Sequence, residues 1–120
     1  MRKWRKALRF AFAGLAYLLR TQRNARIHAV VSVIVIVLGA SLRLDAHDWC
    51  WLVVAMTGVW SMEAVNTALE CLGDFVTSEH CPLIGHAKDA GAAAVLCAAA
   101  GASVIGLLVL GPPLWAAVAK

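Results

Sequence analysis

No acidic residue occurs before Asp45, and charged residues of either sign make up only 15% of the 120-residue chain. The four cysteines, Cys50, Cys71, Cys81 and Cys97, form no CxxC pair, which leaves no dithiol redox motif. Glu79, His80, Cys81 and His86 are metal-capable types but match no standard zinc spacing. Neither a GxxxxGK(S/T) loop nor a GxGxxG is present, so neither common nucleotide motif points to a ligand.

Apolar residues are what the chain has in excess. It is 62% hydrophobic, with a mean hydropathy of +0.76. A single small domain cannot bury that much apolar surface in its own interior, and lipid is the solvent that removes the need. The sequence therefore predicts an all-α integral membrane protein with an N-terminal amphipathic surface helix over 1–25 and three transmembrane helices. The spans are placed at 27–43, 49–72 and 88–111, with a loop over 73–87 signalled by Gly73, Pro82 and Gly85. Gly111, Pro112 and Pro113 are expected to end the third span. That span is rich in Gly and Ala, which lets helices approach closely in lipid, so self-association is expected.

Eight of the eleven basic residues precede the first span. By the positive-inside rule the N-terminus and the 73–87 loop are cytoplasmic. Trp4, Leu8, Ala11, Phe12, Leu15 and Leu19 recur at helical spacing among those bases, as in a helix lying on anionic headgroups. Membrane anchoring accounts for this charge more simply than DNA binding, and no nucleic-acid partner is expected.

Against this background the stretch SMEAVNTALECLGD, residues 61–74, is out of place. At about 100° per residue, Glu63, Asn66, Glu70 and Asp74 fall within an arc of about 80° and share one helix face. Counted from Trp49 at about 1.5 Å per residue, Glu63 lies about 21 Å along the helix and Glu70 about 31 Å. Glu63 is thus within a hydrocarbon core of about 30 Å, and Glu70 is at its boundary. Burying a carboxylate is costly, which suits Glu63 to accepting a proton. Glu70, in a wetter place, suits a hard cation. An aligned face of this kind also fits a proton-coupled transporter subunit, or polar contacts between packed helices.

The motifs themselves resemble a known family. ExxNxxxE on the second span, then GD, SEH and AKDxGAAAVL, together with RNxRIH upstream, are similar to the prokaryotic diacylglycerol kinase and undecaprenol kinase family. The resemblance spans nearly the whole chain. It implies a homotrimer with shared active sites in the bacterial cytoplasmic membrane, transferring the γ-phosphate of ATP to a lipid alcohol with Mg²⁺. It further implies that Glu63 activates the lipid hydroxyl, that Asn66 orients it and that Glu70 binds the metal. Glu79 and His80 would border the nucleotide, while Lys88 and Asp89 would contact its phosphates and the reacting region, as catalytic residues beside Glu63 and Asn66. Lys3 is a weaker match to a nucleotide-contacting arginine. Gln22 stands where the diacylglycerol kinase branch has a second metal-binding glutamate, and an amide offers a carbonyl oxygen without charge.

Overall fold

The computed structural model describes residues 2–77 and 81–119. These residues form four helices: α1 (Arg2–Thr21), α2 (Arg23–Ser41), α3 (Ala46–Val76) and α4 (Pro82–Val118). The last three are long and apolar enough to cross a membrane. No strand occurs among the described residues.

Very little of this molecule is buried in the ordinary sense. The apolar residues removed from solvent are Leu18, Ala25, Leu52, Val59, Val95 and Leu110. Large side chains such as Val30, Ile34, Val54, Leu96 and Leu107 face outward, as expected where the surroundings are acyl chains. The polar residues Glu63, Asn66 and Thr67 are inside. Apolar out and polar in is the reverse of a water-soluble domain.

The α2–α3 turn is set by local chemistry. Arg43 adopts the left-handed conformation at φ 53°, and Asp45 caps α3 by accepting from the Asp48 amide at 2.9 Å. Gly39 then seats the Trp49 indole: a methyl group added there would lie 2.9 Å from the ring. Farther along, Trp60 Nε1 donates to Ser32 Oγ at 3.2 Å and pins the register of α2 on α3. The most extensive packing is between α3 and α4. α1 touches the others mainly through its C-terminal end, where the Tyr17 hydroxyl meets Cys71 Sγ at 3.5 Å. That thiol contact holds the Tyr17 phenol above its ordinary pKa. The exposed side of α1 presents Trp4, Leu8 and Phe12.

Two boundaries differ from the sequence expectation. Residues 73–76 and 82–87, expected in a loop, are helical and extend α3 and α4 beyond the apolar runs. Pro82 starts α4 rather than breaking a helix, since its missing N–H is not needed in a first turn. At the other end Pro112 and Pro113 lie inside α4, which continues to Val118. A proline pair removes two backbone donors, but its fixed φ is itself helical, and membrane helices tolerate the loss. At about 1.5 Å per residue α3 is about 46 Å long and α4 about 55 Å, so both outrun a hydrocarbon core of about 30 Å.

Candidate active site

The polar face of α3 is graded by depth. Glu63 is 1% exposed and Asn66 7%, Glu70 is half-buried, and the Asp74 side chain is 73% exposed. Because α3 starts at Ala46, Glu63 and Glu70 lie about 26 Å and about 36 Å along it. Their order is the expected one.

Glu70 is the hub of the wetter half. Asn66 Nδ2 donates to its Oε1 at 3.0 Å, and Gln22 Nε2 donates to its Oε2 at 3.4 Å. Gln22 sits in the break between α1 and α2, so the end of the surface helix is brought against the second span. Each amide spends one of its two N–H donors on the carboxylate, and the carbonyl oxygen of Asn66 is left buried without a partner. Each amide also carries a carbonyl oxygen, so with the Gln22 amide turned over, Gln22 and Glu70 would offer oxygens around one negative charge beside Asn66. Such a set fits a hard divalent cation with room for water and phosphate ligands.

One turn beyond Glu70, Asp74 forms an ion pair with Lys88 of α4. Lys88 therefore faces α3, whereas Asp89 is exposed and makes no hydrogen bond or ion pair with any described residue. Glu79 and His80 lie outside the described residues. Lys3 is not brought to this cluster. It is on the far end of α1, about 28 Å from Gln22 along the helix axis.

Glu63 occupies the dry half. It is among the largest fully buried side chains, and its Oε2 has no hydrogen-bond partner. Thr67 Oγ1 and His28 Nε2 are likewise buried and unpartnered. Buried polar atoms normally find partners, so Glu63 Oε2 and Thr67 Oγ1, about one turn apart on α3, are polar groups that no described residue satisfies. Thr67 also lines an apolar groove of about 910 Å³ between α1, α2 and α3, with Leu15, Leu18, Ala29, Trp60 and Ala64. His28 lines a smaller cavity between α2, α3 and α4.

Two residues of this site were not singled out by the sequence reading. Thr67 falls at about 40°, about 20° beyond Asp74 at the edge of the polar arc, so the same helix arithmetic finds it. Gly91 is the other: a methyl group placed on it would stand 2.6 Å from Asn66 Oδ1. The backbone of α4 thus closes directly over the Asn66 amide.

Comparison with known proteins gives this arrangement its context. Residues 9–110 match the family model for prokaryotic diacylglycerol kinase. An undecaprenol kinase of Bacillus subtilis is 36% identical over 109 residues, covering 91% of this chain and 89% of that protein. A diacylglycerol kinase of Synechocystis is 39% identical over 109 residues, but the match spans only 62% of its length. A diacylglycerol kinase of Escherichia coli is 32% identical over 93 residues, with 78% of this chain and 76% of that protein covered. With the matched region taking in α2, α3 and the α4 segment that closes the site, the chain belongs to the prokaryotic diacylglycerol kinase family.

Proposed function

We propose that the protein transfers the γ-phosphate of ATP to the hydroxyl of a membrane lipid alcohol. The observation that carries this reading is the single α3 face, with an unpartnered buried carboxylate at its dry end and a hydrogen-bonded carboxylate at its wet end. The reacting groups of a lipid kinase arrive from the same two directions.

In this reading Glu63 Oε2 takes the proton as the lipid oxygen attacks the γ-phosphorus, and the bond to the β-phosphate oxygen breaks to release ADP. Asn66 lies between the two halves in sequence, its amide orienting Glu70 while its free carbonyl lies against Gly91 of α4. Lys88 and Asp89, with Glu79 and His80, serve the nucleotide. The groove beside Thr67 holds the lipid tail, its apolar lining matching a hydrocarbon chain. Glu70 would hold Mg²⁺ with the Gln22 carbonyl, and bound there the ion would neutralise phosphate charge. Lys3, too distant to serve its own chain's site, would serve a neighbouring copy in a homotrimer with shared sites. The N-terminus and the α3–α4 connection face the cytoplasm, as the basic α1 requires at a bacterial cytoplasmic membrane.

The acceptor is diacylglycerol, giving phosphatidic acid, or undecaprenol, giving undecaprenyl phosphate. The Bacillus relative and the RNxRIH stretch favour the prenyl alcohol. Purified protein in mixed micelles with labelled ATP, Mg²⁺ and both lipids in competition tests the reading. Preferential labelling of undecaprenol is expected. Absence of Mg²⁺-dependent labelling of either lipid, with cation or proton flux in proteoliposomes instead, would overturn it in favour of a transporter subunit.

Gln22 gives the metal assignment its own test. Gln22→Glu places a second carboxylate beside Glu70, which costs like-charge repulsion without a cation and is relieved by one. The expected outcome is a lower melting temperature in EDTA, restored by Mg²⁺, with half-saturation at about tenfold lower Mg²⁺ than for the parent. An unchanged melting temperature with and without Mg²⁺ would show that Gln22 is not beside the ion.

A further inference from the structure

The Asp74–Lys88 ion pair joins α3 to α4 at the end of the bundle that carries Glu70. Its side chains are 73% and 34% exposed, and pairs so exposed contribute little to stability. The packing around the pair is tighter than that small contribution explains. The Lys88 stem lies across Gly73: a methyl group added to Gly73 would stand 2.9 Å from Lys88 Cε and 3.0 Å from Ile84 Cγ2. The lysine is therefore held at its tip by a carboxylate and along its stem by a bare stretch of helix backbone.

The ammonium keeps capacity for more. It has three donors, and Asp74 engages one of them. Asp74 follows Glu70 by one turn on the same face, a rise of about 6 Å, so the ion pair is anchored one turn from Glu70 along α3. A free lysine stem would lose much of its rotamer freedom on gripping a phosphate, whereas this one has lost it beforehand.

We infer that Asp74 is a positioning residue: together with the Gly73 saddle it holds Lys88 Nζ where the phosphates of ATP meet it without rearrangement. The inference rests on Lys88 being a phosphate contact. It also fixes a sign. Were Asp74 only a nearby negative charge, or a competitor for Lys88, its removal would improve binding of an anionic nucleotide; a positioning role makes removal harmful.

The test is steady-state kinetics in mixed micelles for Asp74→Asn, Gly73→Ala, Lys88→Ala and the Asp74→Asn/Lys88→Ala double variant. Asp74→Asn is expected to raise the KM for ATP about 3–10-fold while leaving the KM for lipid unchanged, the size expected for one lysine no longer held in advance. Gly73→Ala should do the same through the stem, and Asp74→Glu should restore part of the loss. In the Lys88→Ala background, Asp74→Asn should change nothing further. A lower KM for ATP in Asp74→Asn, or an equal rise in both backgrounds, would overturn the inference. If Lys88→Ala itself leaves the KM for ATP unchanged, the phosphate-contact reading fails; if it raises that KM and Asp74→Asn does not, the positioning role alone fails.

Discussion

Glu63→Gln is expected to lower lipid phosphorylation by about 10²–10⁴-fold, the usual contribution of a general base. The substitution keeps the side-chain shape and replaces a carboxylate whose Oε2 is buried without a partner by an amide that cannot act as a base. Stability should not fall, because a buried neutral amide costs less than an unpaired buried carboxylate. The KM for ATP should also hold, since Glu70 is seven residues on, about 10 Å along the helix. Labelled-ATP turnover and the melting temperature in the same detergent check both halves. A stable variant with full turnover would remove Glu63 from the chemistry, and a variant that fails to fold would assign it a structural role.

Glu63 could be singled out from sequence because an acid in an apolar helix conflicts with its surroundings, and such conflicts tend to mark function. The face shared by Glu63, Asn66, Glu70 and Asp74 follows from helix geometry, which needs only the knowledge that the segment is helical. The three spans are readable for a similar reason: in lipid the backbone must satisfy itself within each segment, so a long apolar run leaves few options.

The helix ends were harder to read. Gly73, Pro82 and Gly85 are ordinary loop signals, yet all three are helical in the structure. Pro82 occupies a first turn, where its chemistry is neutral, and Gly73 is small because Lys88 and Ile84 cross it. A glycine selected for a close crossing looks the same in sequence as one selected for a turn. The tie between Gln22 and Glu70 was beyond reach for another reason. It joins residues 48 positions apart through the docking of α1 on α3, and no local pattern encodes that docking. Lys3 shows the reverse case: a position suggested by motif alignment lies far from the site within one chain.

Gly91→Ala is the second large effect expected. The added methyl would stand 2.6 Å from Asn66 Oδ1 and 3.3 Å from Leu69 Cδ1, closer to the amide than a carbon and an oxygen can approach. Asn66 cannot simply swing aside, because its Nδ2 is bonded to Glu70 and the residue is buried. Either α4 moves off α3, along the most extensive contact in the fold, or Asn66 releases Glu70. Overpacking of this kind costs about 1–3 kcal/mol, and displacement of a catalytic group by about 1 Å can cost about 10²-fold in rate. The variant should therefore show both a lower melting temperature and a turnover reduced by about 10²-fold. Asn66→Ala separates the two consequences, since it removes the obstructing atom. In that background Gly91→Ala should cost less than about 0.5 kcal/mol, while turnover stays low because Glu70 has lost the Asn66 donor and keeps only the longer contact from Gln22. Equal destabilisation with and without Asn66 would place the clash elsewhere. Full turnover in the Asn66→Ala/Gly91→Ala protein would show that Asn66 does not act through Glu70, which would leave the base and the metal ligand working as independent sites on one helix.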